Sequence, residues 1–484
     1  MDDSGSATQP GRLSAAKLAL LEKRLGRTFS EAAAPAGRIP RRERGARAPL
    51  SFQQQRQWLL LEREGLPSFY NNAARLTGDL DASAFRRAFD EVVARHEILR
   101  TTFAVEDGRP VQVVHPPPPS NMDFADLSNL PAAEREERAA RLSAEQARPF
   151  DLARGPVFRA TLLRLGDGDH LLLFTLLHLV ADRWSIKVLT QEMGALYHAF
   201  AAGRPAPLPE LPIQYGDYAS WQRGQMEGGS LKDELAYWRA QLDGCPPVLE
   251  LPTDNPRPPA QTFRGAHESL SLPGELSESL KALSRREGAT LFMTMLALLK
   301  IQLARAAGRE DIAVAVGIAG RQQVETERLI GCFINTLVMR TRLDGDPTFA
   351  ELLGRVREVA LGAYAQQGTP FQMLIEELLP APDPRYPPLA QVSFALHNAA
   401  KEGQPPPDAE AGLRMDVSAV DAGRAAFDLT LRIQETGQGM TCTMEYNTDL
   451  FLPATITRML ENYRLLAERV AGDAGRRLSE LTAD

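Results

Sequence analysis

Residues 170–200, HLLLFTLLHLVADRWSIKVLTQEMGALYHAF, change hydrophobic period once, and that change constrains the fold more than any other stretch. Leu171 to Leu177 is a continuous apolar run, too short to cross a bilayer and long enough for a fully buried strand. Beyond Ser185, the residues Leu189, Met193, Leu196, Tyr197 and Phe200 recur at i, i+4, i+7, i+8 and i+11. That is one face of a helix, with Ser185 as its N-cap candidate. His178 and Asp182 then occupy a short turn between a buried strand and a helix. A neutral imidazole there can take a proton from an incoming nucleophile, its ordinary pKa lying near 6.5. Asp182 can orient that ring, or brace the turn through an arginine. The spacing HxxxD is equally compatible with a purely structural pair.

A chain of 484 residues exceeds one ordinary core and calls for two or three domains, or two lobes sharing an interface. Its net charge of -7 argues against a nucleic-acid partner. Cys245, Cys332 and Cys442 are far apart, which indicates neither a disulfide framework nor a cysteine metal site. Residues 1–12 are polar, with no apolar export segment, so the expected location is cytoplasmic, without a membrane partner.

The pattern predicts helices over 51–64, 82–96, 131–147 and from Tyr215 onward, and strands at Pro110–His115 and Val157–Leu165. Helices at 276–288, 291–306, 348–366, 370–379 and 453–471 follow. Between them fall strands at 312–316, 332–342, QVSFAL, AFDLTLRI and MTCTMEY, with a polar loop at 400–412. Strands and helices mix in both halves, so the fold class is α/β in two lobes. Residues 1–48 read as a linker or docking segment: Ser14 caps a short helix with Leu18, Leu21 and Leu25 on one side, followed by the basic run IPRRERG. Residues 49–220 form the N-terminal lobe with the active-site motif, and 221–484 the C-terminal lobe.

Among seven histidines only His178 ends a buried strand with an Asp at short fixed distance. His96 and His198 read as ordinary. No serine sits in a GxSxG elbow, no glycine loop has phosphate-cradling spacing, and no histidine pair has metal-ligand spacing. A base without its own nucleophile suits direct transfer, in which it activates one bound substrate against another.

Seven ordered segments resemble the motifs of condensation domains of nonribosomal peptide synthetases, across residues 50–480. They are SFQQQRQW, RHEILRTTF, LHLVADRWS, YGDYASW, IGCFINTLVMR, QQGTPFQ and PRYPPLAQVSF, the last two matching loosely. The third stands where the family has HHxxxDGWS. The leader is similar to segments that precede such domains, and RRLSELTAD resembles the join to an adenylation domain, so the chain reads as a free-standing member.

The resemblance implies two chloramphenicol-acetyltransferase-like lobes in a V-shaped pseudo-dimer with a central tunnel. Donor and acceptor carrier proteins would enter from opposite mouths, their substrates on 4'-phosphopantetheine arms. The chain itself would bind no cofactor or metal, and residues 1–48 would dock an upstream synthetase. His178 matches the catalytic histidine. Asp182 matches the motif's structural Asp, paired with one of Arg100, Arg321 and Arg340, of which Arg100 and Arg340 are taken as active-site support. Arg183, Trp184, Ser185 and Asn335 are expected near the tunnel. Two departures stand out: Leu177 replaces the first histidine and Arg183 the glycine. An arginine in place of a positive-φ glycine would strain the turn, and its side chain is expected to point away from the tunnel. The first motif leans towards an L-configured or achiral donor. The expected function is amide or ester bond formation between carrier-bound substrates. The alternative is a silent platform that recruits carrier proteins or a tailoring enzyme.

Overall fold

The computed structural model describes residues 38–43, 45–64, 69–120, 122–227, 231–397, 413–420 and 423–481. The helix expected after Ser14 and the polar loop at 400–412 lie outside the described residues. The first half of the chain supplies strands β1 (Ala48–Pro49), β2 (Phe69–Thr77), β3 (Thr101–Glu106), β4 (Arg109–Val114), β5 (Met122–Asp126), β6 (Phe158–Gly166) and β7 (Asp169–Leu177). Its helices are α1 (Phe52–Glu64), α2 (Ala82–Arg95), α3 (Ala132–Gln146), α4 (Arg183–Ala201), α5 (Tyr215–Glu227) and α6 (Lys232–Leu242). The second half supplies β8 (Gly265–Pro273), β9 (Asp311–Ile318), β10 (Asn335–Arg342), β11 (Val392–His397), β12 (Arg414–Ala419), β13 (Leu429–Thr436) and β14 (Gly439–Asn447). With them come α7 (Gly274–Arg286), α8 (Leu291–Ala307), α9 (Phe349–Ala365), α10 (Phe371–Leu378) and α11 (Pro453–Gly472).

Two large sheets result, in the orders β12-β2-β7-β6-β5 and β10-β9-β11-β13-β14-β8. The strand β7 is the middle of the first, antiparallel to β2 on one side and β6 on the other. That position explains its unbroken apolar run, because helices pack on both faces: α2 and α4 on one and α3 on the other. The helix α2 starts where the Asp81 carboxylate accepts from the backbone N–H groups of Ser83 and Ala84, and buries Phe85, Ala88, Phe89, Val92 and Val93. In the second lobe α9 opens on a capping box between Thr348 and Glu351, and α8 is buried almost all round, ending at Gly308 with φ 61°.

Each sheet has its own core, and the second half of the chain enters the first lobe twice. Leu329, Ile330 and Phe333, between β9 and β10, pack into the core around β7. The strand β12 pairs antiparallel with β2, so the chain crosses over to extend the first sheet.

Several elements were not expected from the pattern. FYNNAARLT carries two asparagines and no clean alternation, yet forms β2, held by β7 and β12. The strands β8 and β12 and the helix α6 are likewise additions. The described part of the basic run packs on the first lobe: Ile39 is buried, Arg41 donates to Leu211 O at 2.9 Å, and Arg42 pairs with Asp217 at 3.0 Å. Among the described residues no single helix is long and apolar enough to cross a membrane.

Candidate active site

The turn after β7 ends three residues earlier than Ser185 as N-cap would have allowed. Asp182, not Ser185, is the N-cap of α4: its side chain accepts from Ser185 N at 2.8 Å, and the Ser185 hydroxyl approaches the Asp182 N–H at 3.3 Å. Ser185 is the third residue of the helix and closes a capping box. Asp caps at least as well as Ser, and it is placed to accept from the orphan N–H groups of the first turn.

His178 sits in this turn, half-buried. Its Nδ1 lies 2.9 Å from Ala181 O. A carbonyl only accepts, so Nδ1 carries the hydrogen and Nε2 of the neutral ring is left as an acceptor. Burial holds the pKa of His178 below its ordinary value, with its own and Ala181's backbone and the Asp182 charge acting the other way. The ring therefore stays neutral at neutral pH, as a base must.

Asp182 is almost fully buried and braces the turn against the second lobe. Its Oδ1 lies 3.0 Å from Arg321 Nη2 and 2.7 Å from Ser185 Oγ, and Oδ2 accepts from Phe333 N at 3.0 Å. Arg321 donates from its other terminal nitrogen, Nη1, to Thr326 O and Leu329 O and stacks 4.0 Å from the Phe333 ring centroid. The Ser185 hydroxyl also contacts Gly331, lying 3.0 Å from its N–H and 2.9 Å from its carbonyl. One carboxylate thus fixes α4, the loop 321–333 and the start of β10 together. Gly331 is required here, since a Cβ would come within 2.0 Å of the Tyr215 ring. So is Gly320, whose φ is +65° and where any Cβ would run into Phe333 O.

Of the three candidate arginines, only Arg321 meets Asp182. Arg100 instead donates to His115 O, and Arg340 pairs with Asp311 at 2.7 Å while donating to Gln241 O and Asp243 O. Both are held by local strand contacts before they could reach the turn. Asn335 spends its amide hydrogens on Gln367 O and Thr369 O and its carbonyl on Phe371 N, which pins the entry to α10. Trp184 donates from Nε1 to Glu327 O at 2.8 Å, a second tie between the lobes. Arg183 is the first residue of α4 and is exposed, without positive φ. The expected strain is therefore absent. The Arg183 charge opposes the upward shift of the Tyr70 phenol. Leu177 is a core residue, 1% exposed.

Sequence reasoning missed Tyr70, because β2 itself was missed. The Tyr70 hydroxyl lies 3.4 Å from His178 Nε2, and the two rings meet edge-on at 4.8 Å between centroids. It missed as well the buried chain from Ser51 Oγ through Tyr215 OH (2.7 Å) to Cys332 O (2.7 Å). The signal lies in the motifs containing Ser51, Tyr215 and Cys332, which form one network only in the folded chain. Cys332 Sγ stands 3.8 Å from His178 Nδ1, but burial, and then the Asp182 charge, push its pKa well up. It is a thiol here, not a nucleophile. Among the described residues no cluster of His, Cys, Asp and Glu is placed to hold a metal.

Comparison with known proteins gives the geometry its family. The condensation-domain model matches residues 45–483. One of the proteins that make up the linear gramicidin synthase of Brevibacillus parabrevis is 46% identical over 88% of this chain. Phosphinothricin tripeptide synthetase PhsC of Streptomyces viridochromogenes is 40% identical over 98%. The chain spans 6% and 44% of those two proteins. Among solved structures, the X-domain from teicoplanin biosynthesis superposes with a TM-score of 0.84 at 28% identity, over 93% of this chain and all of that one. SgcC5 from Streptomyces globisporus gives 0.72 at 28% identity, over 89% of this chain and all of that one. With two α/β lobes arranged as in those structures and a histidine held at the strand-to-helix turn, the chain belongs to the condensation-domain family of nonribosomal peptide synthetases.

Proposed function

We propose that this chain joins an acyl or peptidyl group, carried as a thioester on one carrier protein, to the amine of a second carrier-bound substrate, or to an alcohol. The observation that carries this reading is the fixed tautomer of His178, with Nδ1–H tied to Ala181 O and Nε2 presented at the turn. As the amine nitrogen attacks the thioester carbonyl, Nε2 takes its proton, and the C–N bond forms while the carbonyl electrons move to oxygen. When that oxyanion collapses, the C–S bond breaks and the departing thiolate receives the proton from the imidazolium. His178 is the base; Asp182 and Arg321 hold its turn; Arg183, Trp184 and Ser185 line the start of α4 beside a tunnel between the lobes. The lobes are 49–220 and 221–484, with 329–333 and 414–419 lent by the second to the first. The reading assigns no cofactor to this chain: both substrates would come on phosphopantetheine arms. A peptide product agrees with the names of the relatives, a gramicidin synthase and a tripeptide synthetase.

The test is transfer between loaded carrier proteins, followed by intact mass. Product from the wild type and its loss in His178→Ala support the assignment; equal product from both would refute it.

A second reading has one specific observation behind it: the X-domain of teicoplanin biosynthesis is also known as a complex with OxyB. On that reading the chain is a silent platform for carrier proteins or a tailoring enzyme. It predicts a wild type inactive with every loaded carrier pair, and activity only after Leu177→His and Arg183→Gly together.

A further inference from the structure

Among the described residues, the phenol of Tyr70 is the side-chain hydroxyl that reaches the free nitrogen of His178. It approaches Nε2 at 3.4 Å, at the long end of a hydrogen bond. The strand pairing explains why it is there: Tyr70 lies opposite Leu176 in β7, two residues before His178. Burial raises the Tyr70 pKa far above the ordinary phenol range, with Asp182 and Cys332 adding to the shift and Arg183 and Arg432 opposing it. The phenol therefore keeps its proton through the reaction. Cys332, buried and protonated, faces the other ring nitrogen and leaves Nε2 to Tyr70.

A protonated phenol can both donate and accept, which is what a base with two protonation states needs at one atom. While the ring is neutral, its Nε2 lone pair accepts from the Tyr70 O–H. Once Nε2 holds the nucleophile's proton, Nε2–H donates to the same oxygen, and a hydrogen bond from a charged donor is roughly twice as strong as its neutral counterpart. We propose that Tyr70 is the positioning residue of this site, the partner that holds His178 Nε2 and stabilises the imidazolium. The inference rests on His178 being the base, as proposed above.

Tyr70→Phe in the full chain tests it by two readouts. The first is titration of the His178 ring carbons by NMR, which needs no substrate. The expected result is a pKa lower than in the wild type by roughly half a unit to one unit. The second is the pH profile of transfer between loaded carriers. A fall of about 10-fold to 100-fold in kcat is expected, with the acceptor KM unchanged and the acid limb moved to lower pH. Site-specific 3-fluorotyrosine at position 70 keeps the shape and weakens the acceptor oxygen, and should fall between the two; it serves also if the Phe variant does not fold. An unchanged His178 pKa in either variant overturns the proposal, whatever the activity. A wild type that transfers nothing overturns the function proposed above, and the titration still decides whether Tyr70 sets the ring's basicity.

Discussion

Asp182 and Arg321 stand 139 residues apart in sequence and meet at 3.0 Å with both side chains closed to solvent. The pair ties the helix that follows the His178 turn to a loop from the other half of the chain. Two buried charges of this kind contribute modest net stability together, but either is costly alone. Burial already pulls the Arg321 pKa down against the pull of Asp182, so a missing carboxylate would leave that cation with neutral partners only: two backbone carbonyls, the Ser185 hydroxyl and the Phe333 ring.

Asp182→Ala is accordingly expected to cost about 3–5 kcal/mol, and Arg321→Met a similar amount. The double variant should lose less than the sum of the two, because neither partner is then left unpaired. Denaturant melts of the four proteins measure this. Additive losses would show that the two side chains act independently.

His178→Ala should lower the rate of transfer by roughly 10²–10⁴ while leaving the melt close to that of the wild type. Since the folded His178 pKa lies below its ordinary value of 6.5, the wild-type rate should be flat across neutral pH. It should fall only as pH drops through that lowered pKa, where the ring gains a proton and ceases to be a base. A rate that already declines on going below pH 7 would place the titrating group elsewhere.

His96 is buried against Glu192, with Nε2 2.7 Å from Oε2 and Ile330 N donating weakly to Nδ1. Burial lowers its pKa below 6.5, Glu192 opposing. The unfolded chain binds this proton first, so its contribution to stability is full above the unfolded pKa and is lost as pH falls from there through the folded value. His170 and His178 shift in the same direction. The Tm should therefore decline below about pH 6.5, before ordinary carboxylates titrate. His96→Asn should flatten part of that decline, and an unchanged slope would rule out His96 as its source.

Arg183→Gly should give no gain in stability. The residue has helical backbone and no strain to relieve, and glycine costs up to about 1 kcal/mol in a helix. Leu177→His buries an imidazole in the first core, a loss of roughly 1–3 kcal/mol if the ring finds no partner. Thermal melts of both single variants check this. A more stable Leu177→His would mean that a partner for the ring exists at that position.

Gly331→Ala places a methyl 2.0 Å from the Tyr215 ring and should cost about 1–3 kcal/mol through overpacking. Because Gly331 also contacts Ser185 Oγ through both its N–H and its carbonyl, transfer should weaken with stability. A variant that melts normally and transfers at the wild-type rate would show that the loop yields freely.

What the residues determined without help was local. The switch from a seven-residue apolar run to helical spacing located β7, the turn and α4, because each signal is carried within a few residues. The helices α2, α8 and α9 were legible for the same reason: their caps and apolar faces are written in contiguous sequence. His178 stood out as the only histidine ending a buried strand with an Asp four residues on. The tertiary structure decided everything that depends on distant partners. FYNNAARLT has weak strand character by composition and becomes β2 only through β7 and β12, one of them from late in the chain; with β2 came Tyr70 beside His178. Three arginines could equally have served Asp182, and only the crossing of the loop 321–333 into the first lobe selects Arg321. Arg100 and Arg340 are consumed by nearer acceptors. Spacing along the chain fixes backbone period and caps, whereas a buried charge finds its partner by desolvation in three dimensions.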